Sequence, residues 1–104
     1  MDIREYLDAR GRSRYKSWFD GLNAQAAAKV AIALTRLALG NFSSVKGVGS
    51  GVYELRIDFG PGYRVYFGKD GERLVILLGG GAKKRQQEDI VAAIKNWQAY
   101  RKNK

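Results

Sequence analysis

Tyr53-Glu54-Leu55-Arg56-Ile57-Asp58-Phe59, then Gly60-Pro61-Gly62, then Tyr63-Arg64-Val65-Tyr66-Phe67 reads as strand, turn and strand. Apolar and polar side chains alternate with the period of two that sends neighbours to opposite faces of a sheet. Gly-Pro-Gly is turn chemistry, because proline presets φ and glycine tolerates the left-handed region. Tyr53, Leu55, Ile57, Val65 and Phe67 therefore share an apolar face. Arg56 and Arg64 share the opposite face with Glu54 and Asp58. There, two guanidinium groups either converge on one ligand or are neutralised in an internal ion-pair lattice.

Working outward, Lys69-Asp70-Gly71 is a second turn. Arg73-Leu74-Val75-Ile76-Leu77-Leu78 then runs apolar without a break, as a central strand buried on both faces does. An antiparallel meander is expected. After Gly79-Gly80-Gly81 the period becomes helical, with Ile90, Ala93, Ile94 and Trp97 on one stripe of a helix reaching about Tyr100. Glu88 and Asp89 suit its first turns, and Arg101 to Lys104 are expected to fray. Upstream, Ser13 is placed to cap a helix with Tyr15, Trp18, Phe19 and Leu22 in its stripe. Asn23 opens a second helix running to Leu39 and stopped by Gly40. Its face of Ala27, Val30, Ala31, Leu34, Leu37 and Ala38 is mostly small, which predicts an antiparallel helical hairpin lying on the sheet. Lys29 and Arg36 stay outside. Residues 1–8 read as a short edge strand and turn, or as a frayed helix. The fold class is α/β of the α+β kind.

The chain has 104 residues, 45% apolar and 28% charged, the length and composition of one globular domain spanning 1–104. It contains no Cys and no His, which excludes disulfides, thiolate zinc sites, cysteine nucleophiles and histidine-based triads. No metal and no other cofactor is expected. Nineteen Lys and Arg against ten Asp and Glu leave +9, above the roughly 2 to 8 usual for solubility, and point to a polyanionic partner. Asp2, Arg4 and Glu5 stand where a signal peptide needs an apolar core, so a cytoplasmic protein with no membrane attachment is expected.

Gly79 to Gly81, followed by Lys83-Lys84-Arg85 at a helix start, assemble three cations with backbone N–H groups in the manner of a phosphate cradle. The spacing is that of neither a Walker loop nor a dinucleotide fingerprint. If this corner meets the Arg56 and Arg64 face, the two make a basic groove in which Tyr66 is available to stack a base. A tight turn, a solvated helix start and a packed tyrosine are the bland alternatives.

Gly51 to Gly68 and Leu77 to Ile90, with Tyr6 to Ser13, Trp18 to Leu22 and Gly40 to Gly47, resemble the phage-derived killer proteins of addiction modules. These form the HigB-like branch of the RelE/ParE toxin superfamily. The resemblance implies a toxin with two N-terminal helices, an antiparallel sheet and a C-terminal helix. It further implies a helix-turn-helix antitoxin, HigA-like, from a neighbouring gene, with ribosome and mRNA as targets. RelE-like members cleave mRNA on the ribosome and ParE-like members inhibit DNA gyrase, so a ribosome-dependent endoribonuclease, a gyrase inhibitor and a non-catalytic RNA-binding module all stay open. Arg64 matches the superfamily's Tyr-Arg motif, Arg56 the preceding Leu-Arg position, and Lys83 to Arg85 its basic segment. Cleavage through the substrate's own 2′-OH would use Arg64, Arg56 and Lys84 as catalytic groups. Lys83, Arg85, Tyr66, Gly80 and Gly81 would hold RNA phosphates and bases. The chain departs from the pattern at Gln86 to Ile90, where RelE has a tyrosine, and at Arg14, where relatives have proline.

Overall fold

The computed structural model describes residues 1–104. Its strands are β1 (Asp2–Glu5), β2 (Val45–Gly49), β3 (Val52–Ile57), β4 (Tyr63–Asp70) and β5 (Leu74–Ala82), and its helices α1 (Arg14–Asp20), α2 (Ala24–Ala38) and α3 (Gln86–Lys102). One sheet holds the strands in the order β1-β5-β4-β3-β2. The run from β3 to β5 is the expected antiparallel meander, β2 extends it antiparallel to β3, and β1 adds in parallel to β5 with Ile3 opposite Val75. The edge-strand reading of the N-terminus holds. β2 was not anticipated, because Val45-Lys46-Gly47-Val48-Gly49 has glycine where a strand signal needs branched or aromatic residues.

Alternation sorts the core into two layers. Leu55, Ile57, Val65, Phe67, Val75 and Leu77 point to one face and pack with Tyr15, Val30 and Leu37 of α1 and α2. Val52, Tyr66, Ile76 and Leu78 point to the other and pack with Ala93 and Trp97 of α3. Each such apolar side chain contributes about 1.5 to 3 kcal/mol on burial. The Ser13 hydroxyl accepts from the Lys16 amide and the Asn23 side chain from the Ala26 amide, so both predicted caps form. Gly40, at φ +92, ends the second helical segment. The two helices are not chiefly packed on each other: α1 lies on β5 and α2 on β3. At 7 residues α1 offers little surface for a helical hairpin.

Two glycines admit the tryptophans. A Cβ on Gly68 of β4 would collide with the Trp97 ring of α3, and one on Gly80 of β5 with the Trp18 ring of α1. The indoles therefore lie directly on the strand backbones, one from each face. The C-terminal segment is better anchored than expected, since Arg101 and Lys102 belong to α3 and Asp70 accepts from the Tyr100 hydroxyl and the Lys104 ammonium, each at 2.5 Å.

Gly68→Ala and Gly80→Ala are each expected to lower stability by about 1 to 3 kcal/mol through overpacking. Gly47→Ala, whose new methyl meets open space, should change little, and urea-denaturation midpoints check the contrast. Burial, with the Glu5 and Asp20 charges, pushes the Tyr15 phenol up to about 12 from 10.0. The folded state thus favours protonated Tyr15, a contribution complete below pH 10 and lost as pH rises towards about 12. Tyr15→Phe should flatten the alkaline fall of the urea midpoint across that window.

Candidate functional site

The polar members of the β3–β4 hairpin lie on the face that α3 covers. Arg56 is directly opposite Arg64 in the ladder and Glu54 opposite Tyr66, so the predicted pairing of the two arginines on one side is formed. Their exposures differ. Arg64 is 6% exposed and Glu54 only 1%, whereas Arg56 is open to solvent. The Glu54 carboxylate is the centre of a buried polar cluster. Its Oε1 accepts from Gln86 Nε2 of α3 at 2.7 Å and from the Tyr66 hydroxyl at 3.4 Å, and lies 3.5 Å from Arg64 Nε. Exposed Lys46 of β2 approaches Oε2 at 3.8 Å.

Arg64 is held from two sides. Its Nη1 donates to the Gly62 carbonyl at 2.8 Å, and Glu54 supplies the opposite charge. Its Nε makes no hydrogen bond, because Glu54 Oε1 is close enough for attraction but not aligned to accept. Gly62 also accepts from the Lys83 amide at 2.9 Å, which fastens the basic corner beside Arg64. The predicted convergence of Lys83 with Arg64 is present. Lys83, Lys84 and Arg85 form one exposed 3-10 turn between β5 and α3, and Arg85 is engaged by Glu88 at 2.6 Å.

Two expectations are corrected. Tyr66 is fully buried in the core beneath α3 and does not face solvent to stack a base. Burial first, then the Glu54 and Asp89 charges, push its phenol above the ordinary range. Gly79 to Gly81 are not a turn or a phosphate cradle. They lie inside β5, where Gly79 pairs with Tyr66, Gly80 with Val65 and Gly81 with Arg64. The room a side chain would use is taken at Gly80 by Trp18 and at Gly81 by the Asp89 carboxylate, which would repel an anion. Close packing explains these glycines. Asp89, itself buried, pairs with Arg14 at 3.4 Å. Arg14, at the proline position of the resembled family, thus ties the start of α1 to α3.

Gln86 and Asp89 join the site without any signal in the local sequence. Neither carries a motif, and their partners are 32 and 75 residues away in the chain. Glu54 was visible as a neutralising group through its place in the alternation.

A fixed buried arginine, a second arginine open to solvent beside it and two free lysines on the adjoining turn make a small basic α+β protein with a positively charged sheet face. The chain belongs to the family described as Phage derived protein Gp49-like (DUF891), whose profile matches residues 17–98. It is 48% identical over 64 residues to an uncharacterized protein of Haemophilus influenzae (strain ATCC 51907 / DSM 11121 / KW20 / Rd). That match covers 61% of this chain and 65% of the relative, so the chain spans about two thirds of the relative's length. Membership of this phage-derived family is consistent with a toxin of a toxin–antitoxin pair. No helix is long and apolar enough to cross a membrane.

Removing the buried carboxylate leaves Arg64 buried without its counter-charge, so Glu54→Ala should destabilise by about 3 to 5 kcal/mol. Lys46→Ala removes only the exposed partner and should cost less than about 1 kcal/mol. Equal shifts in the urea midpoint for the two variants would contradict this assignment.

Proposed function

We propose that this protein is the toxin of a toxin–antitoxin module and acts as a ribosome-dependent mRNA endonuclease. The observation that carries the reading is the cross-strand pair of Arg56 and Arg64 with Lys83 fastened beside it. Guanidinium groups suit a phosphate because they are planar, permanently charged and able to donate in parallel. A helix-turn-helix antitoxin from a neighbouring gene is the partner that would neutralise it.

The reaction uses the substrate's own nucleophile. The 2′-oxygen bonds to the adjacent phosphorus, the bond to the 5′-oxygen breaks, and a 2′,3′-cyclic phosphate and a 5′-hydroxyl result. Negative charge grows on the phosphoryl oxygens, where Arg56 and Arg64 stabilise it. Lys84, as an ammonium, gives a proton to the departing 5′-oxygen. The 2′-hydroxyl proton goes to water, since Glu54 and Asp89 are buried and already engaged. A site so short of bases gains most from a substrate held in line for attack, which is what a ribosome supplies. The burial of Arg64 favours one second reading, a non-catalytic RNA-binding module in which Arg64 only supports the fold.

Expression without an antitoxin, with growth recorded and mRNA 5′ ends mapped against reading frame, tests the proposal. Arrest with in-frame cuts is expected. Lys84→Ala and Arg56→Ala, both at exposed positions, should slow cutting by roughly 10- to 1,000-fold with an unchanged melting temperature. Arrest without new 5′ ends would indicate a gyrase-type inhibitor, and normal growth with soluble protein would leave the binding module.

A further inference from the structure

The side of α2 that meets water is apolar along its centre. Ala26, Val30 and Leu37 are buried on the sheet, and helical spacing directs Ala24, Ala28, Ala31, Ile32 and Thr35, with the capping Leu39, the opposite way. Ile32 is 50% exposed and Leu39 82%. The Thr35 hydroxyl donates to the Ala31 carbonyl at 3.0 Å, so it is engaged within the helix. A helix with a solvent face carries charge there as a rule, and one that is apolar all round is as a rule buried. Beside this face Met1, Ile3, Phe19, Leu34 and Ala38 line an open hollow of about 450 Å³.

Charge enters on one flank alone. Lys29 and Arg36 are exposed there, two turns or about 10 Å apart along the axis. Lys29 stands over the Phe59 ring, 5.6 Å from its centroid, and Arg36 in the last turn complements the α2 dipole, but neither takes part in an ion pair. Residues 21–53 contain no Asp or Glu. Asp58 adjoins the same flank without pairing with either cation.

We infer that the outer face of α2 is a docking surface for an acidic amphipathic helix of another protein, its apolar side seated on Ile32, Leu39 and the hollow, its carboxylates on Lys29 and Arg36. The inference depends on the packing and charge of α2 and not on the RNA reading. The α2 residues pack on the sheet face that carries Leu55 and Val65, the reverse of the face of Arg56 and Arg64, so the surface is no extension of that basic site. A second copy of the chain would bring further Lys29 and Arg36 side chains to the same contact, with +9 on each molecule. A lipid surface asks for bulky apolar and aromatic anchors along the helix, and this face has two aliphatic ones and no aromatic. A helix fits because the alanines between Ile32 and the start of α2 let a second axis come within about 8 to 10 Å, and its own turns can set carboxylates at the spacing of the two cations.

The test uses two labelled peptides of about 20 residues, long enough to span α2, with the same leucine and alanine face. One carries glutamate along a flank and the other lysine. Fluorescence anisotropy with the full chain is expected to show binding of the glutamate peptide and weaker binding of the lysine peptide. Lys29→Glu with Arg36→Glu should reverse that preference, whereas Lys95→Glu with Lys102→Glu, the same charge change on α3, should retain it. Ile32→Gln with Leu39→Gln should weaken the glutamate peptide by roughly tenfold or more without lowering the melting temperature, since both side chains are exposed. Far-ultraviolet circular dichroism verifies the fold of each variant. No binding of the glutamate peptide would overturn the inference, and so would an equal response of the two charge-reversed variants, because net charge alone would then explain the binding. A dimer in sedimentation velocity that Ile32→Gln with Leu39→Gln dissociates would assign the face to a second copy instead. Binding to phosphatidylserine vesicles lost in that same variant would assign it to a membrane.

Discussion

Burying an arginine between a sheet and a helix is the constraint around which one half of this molecule is organised. A guanidinium taken out of water costs several kcal/mol unless an opposite charge is within reach. Glu54 meets that demand from the neighbouring strand. The carboxylate then becomes buried and must itself be satisfied, which it is by the Tyr66 hydroxyl in the sheet and Gln86 at the start of α3. Because Gln86 lies on the helix, satisfying the charge also fixes where the helix begins. Asp89, one turn on, does the same through Arg14, so two acidic groups bind the α1 start, the sheet and α3 together.

The other half depends on bulk packing, and there the amino-acid pattern was easy to read. Alternation from Tyr53 to Phe67, the turn at Gly60 to Gly62, the unbroken run ending at Leu78 and the caps at Ser13 and Asn23 are local signals, and each element formed. What local pattern did not reveal was pairing across distance. The parallel seat of β1 beside β5 depends on a partner some 70 residues away, as the Ile3 and Val75 register shows. The strand from Val45 to Gly49 is held mainly by its ladder with β3 rather than by its own propensity. Helical periodicity placed α1 and α2 but said nothing of which strand each would choose.

At the site, legibility divided along the same line. The facing of Arg56 and Arg64 follows from a period of two and a short turn, so it could be read directly. Tyr66 could not be judged so easily. Alternation puts it on the polar face, yet α3 covers that face, and only tertiary packing distinguishes a covered polar face from an open one. Gly79 to Gly81 looked like a loop because glycine is the usual loop residue. Their actual reason is the indole ring on one side and a carboxylate on the other, a demand made by residues more than 60 positions upstream in one case. Close approach and loop flexibility call for the same residue.

The distribution of charge has a consequence for how the protein meets its target. Of the cations near the sheet, Arg64 is buried and paired, while Arg56, Lys83, Lys84, Lys29 and Arg36 are exposed and without ion-pair partners. Exposed charges act over about 8 Å at physiological ionic strength, so they govern encounter and docking. A buried charge acts only on what touches it, but there it acts with less screening and in a fixed orientation. The arrangement separates two tasks. On the proposed RNA reading, the exposed cations would attract a phosphate backbone without regard to sequence, and the one buried guanidinium would offer a geometry that the backbone must fit. A chain of 104 residues with no histidine has few means of chemical selectivity, and fixing one arginine so firmly is a means it does have.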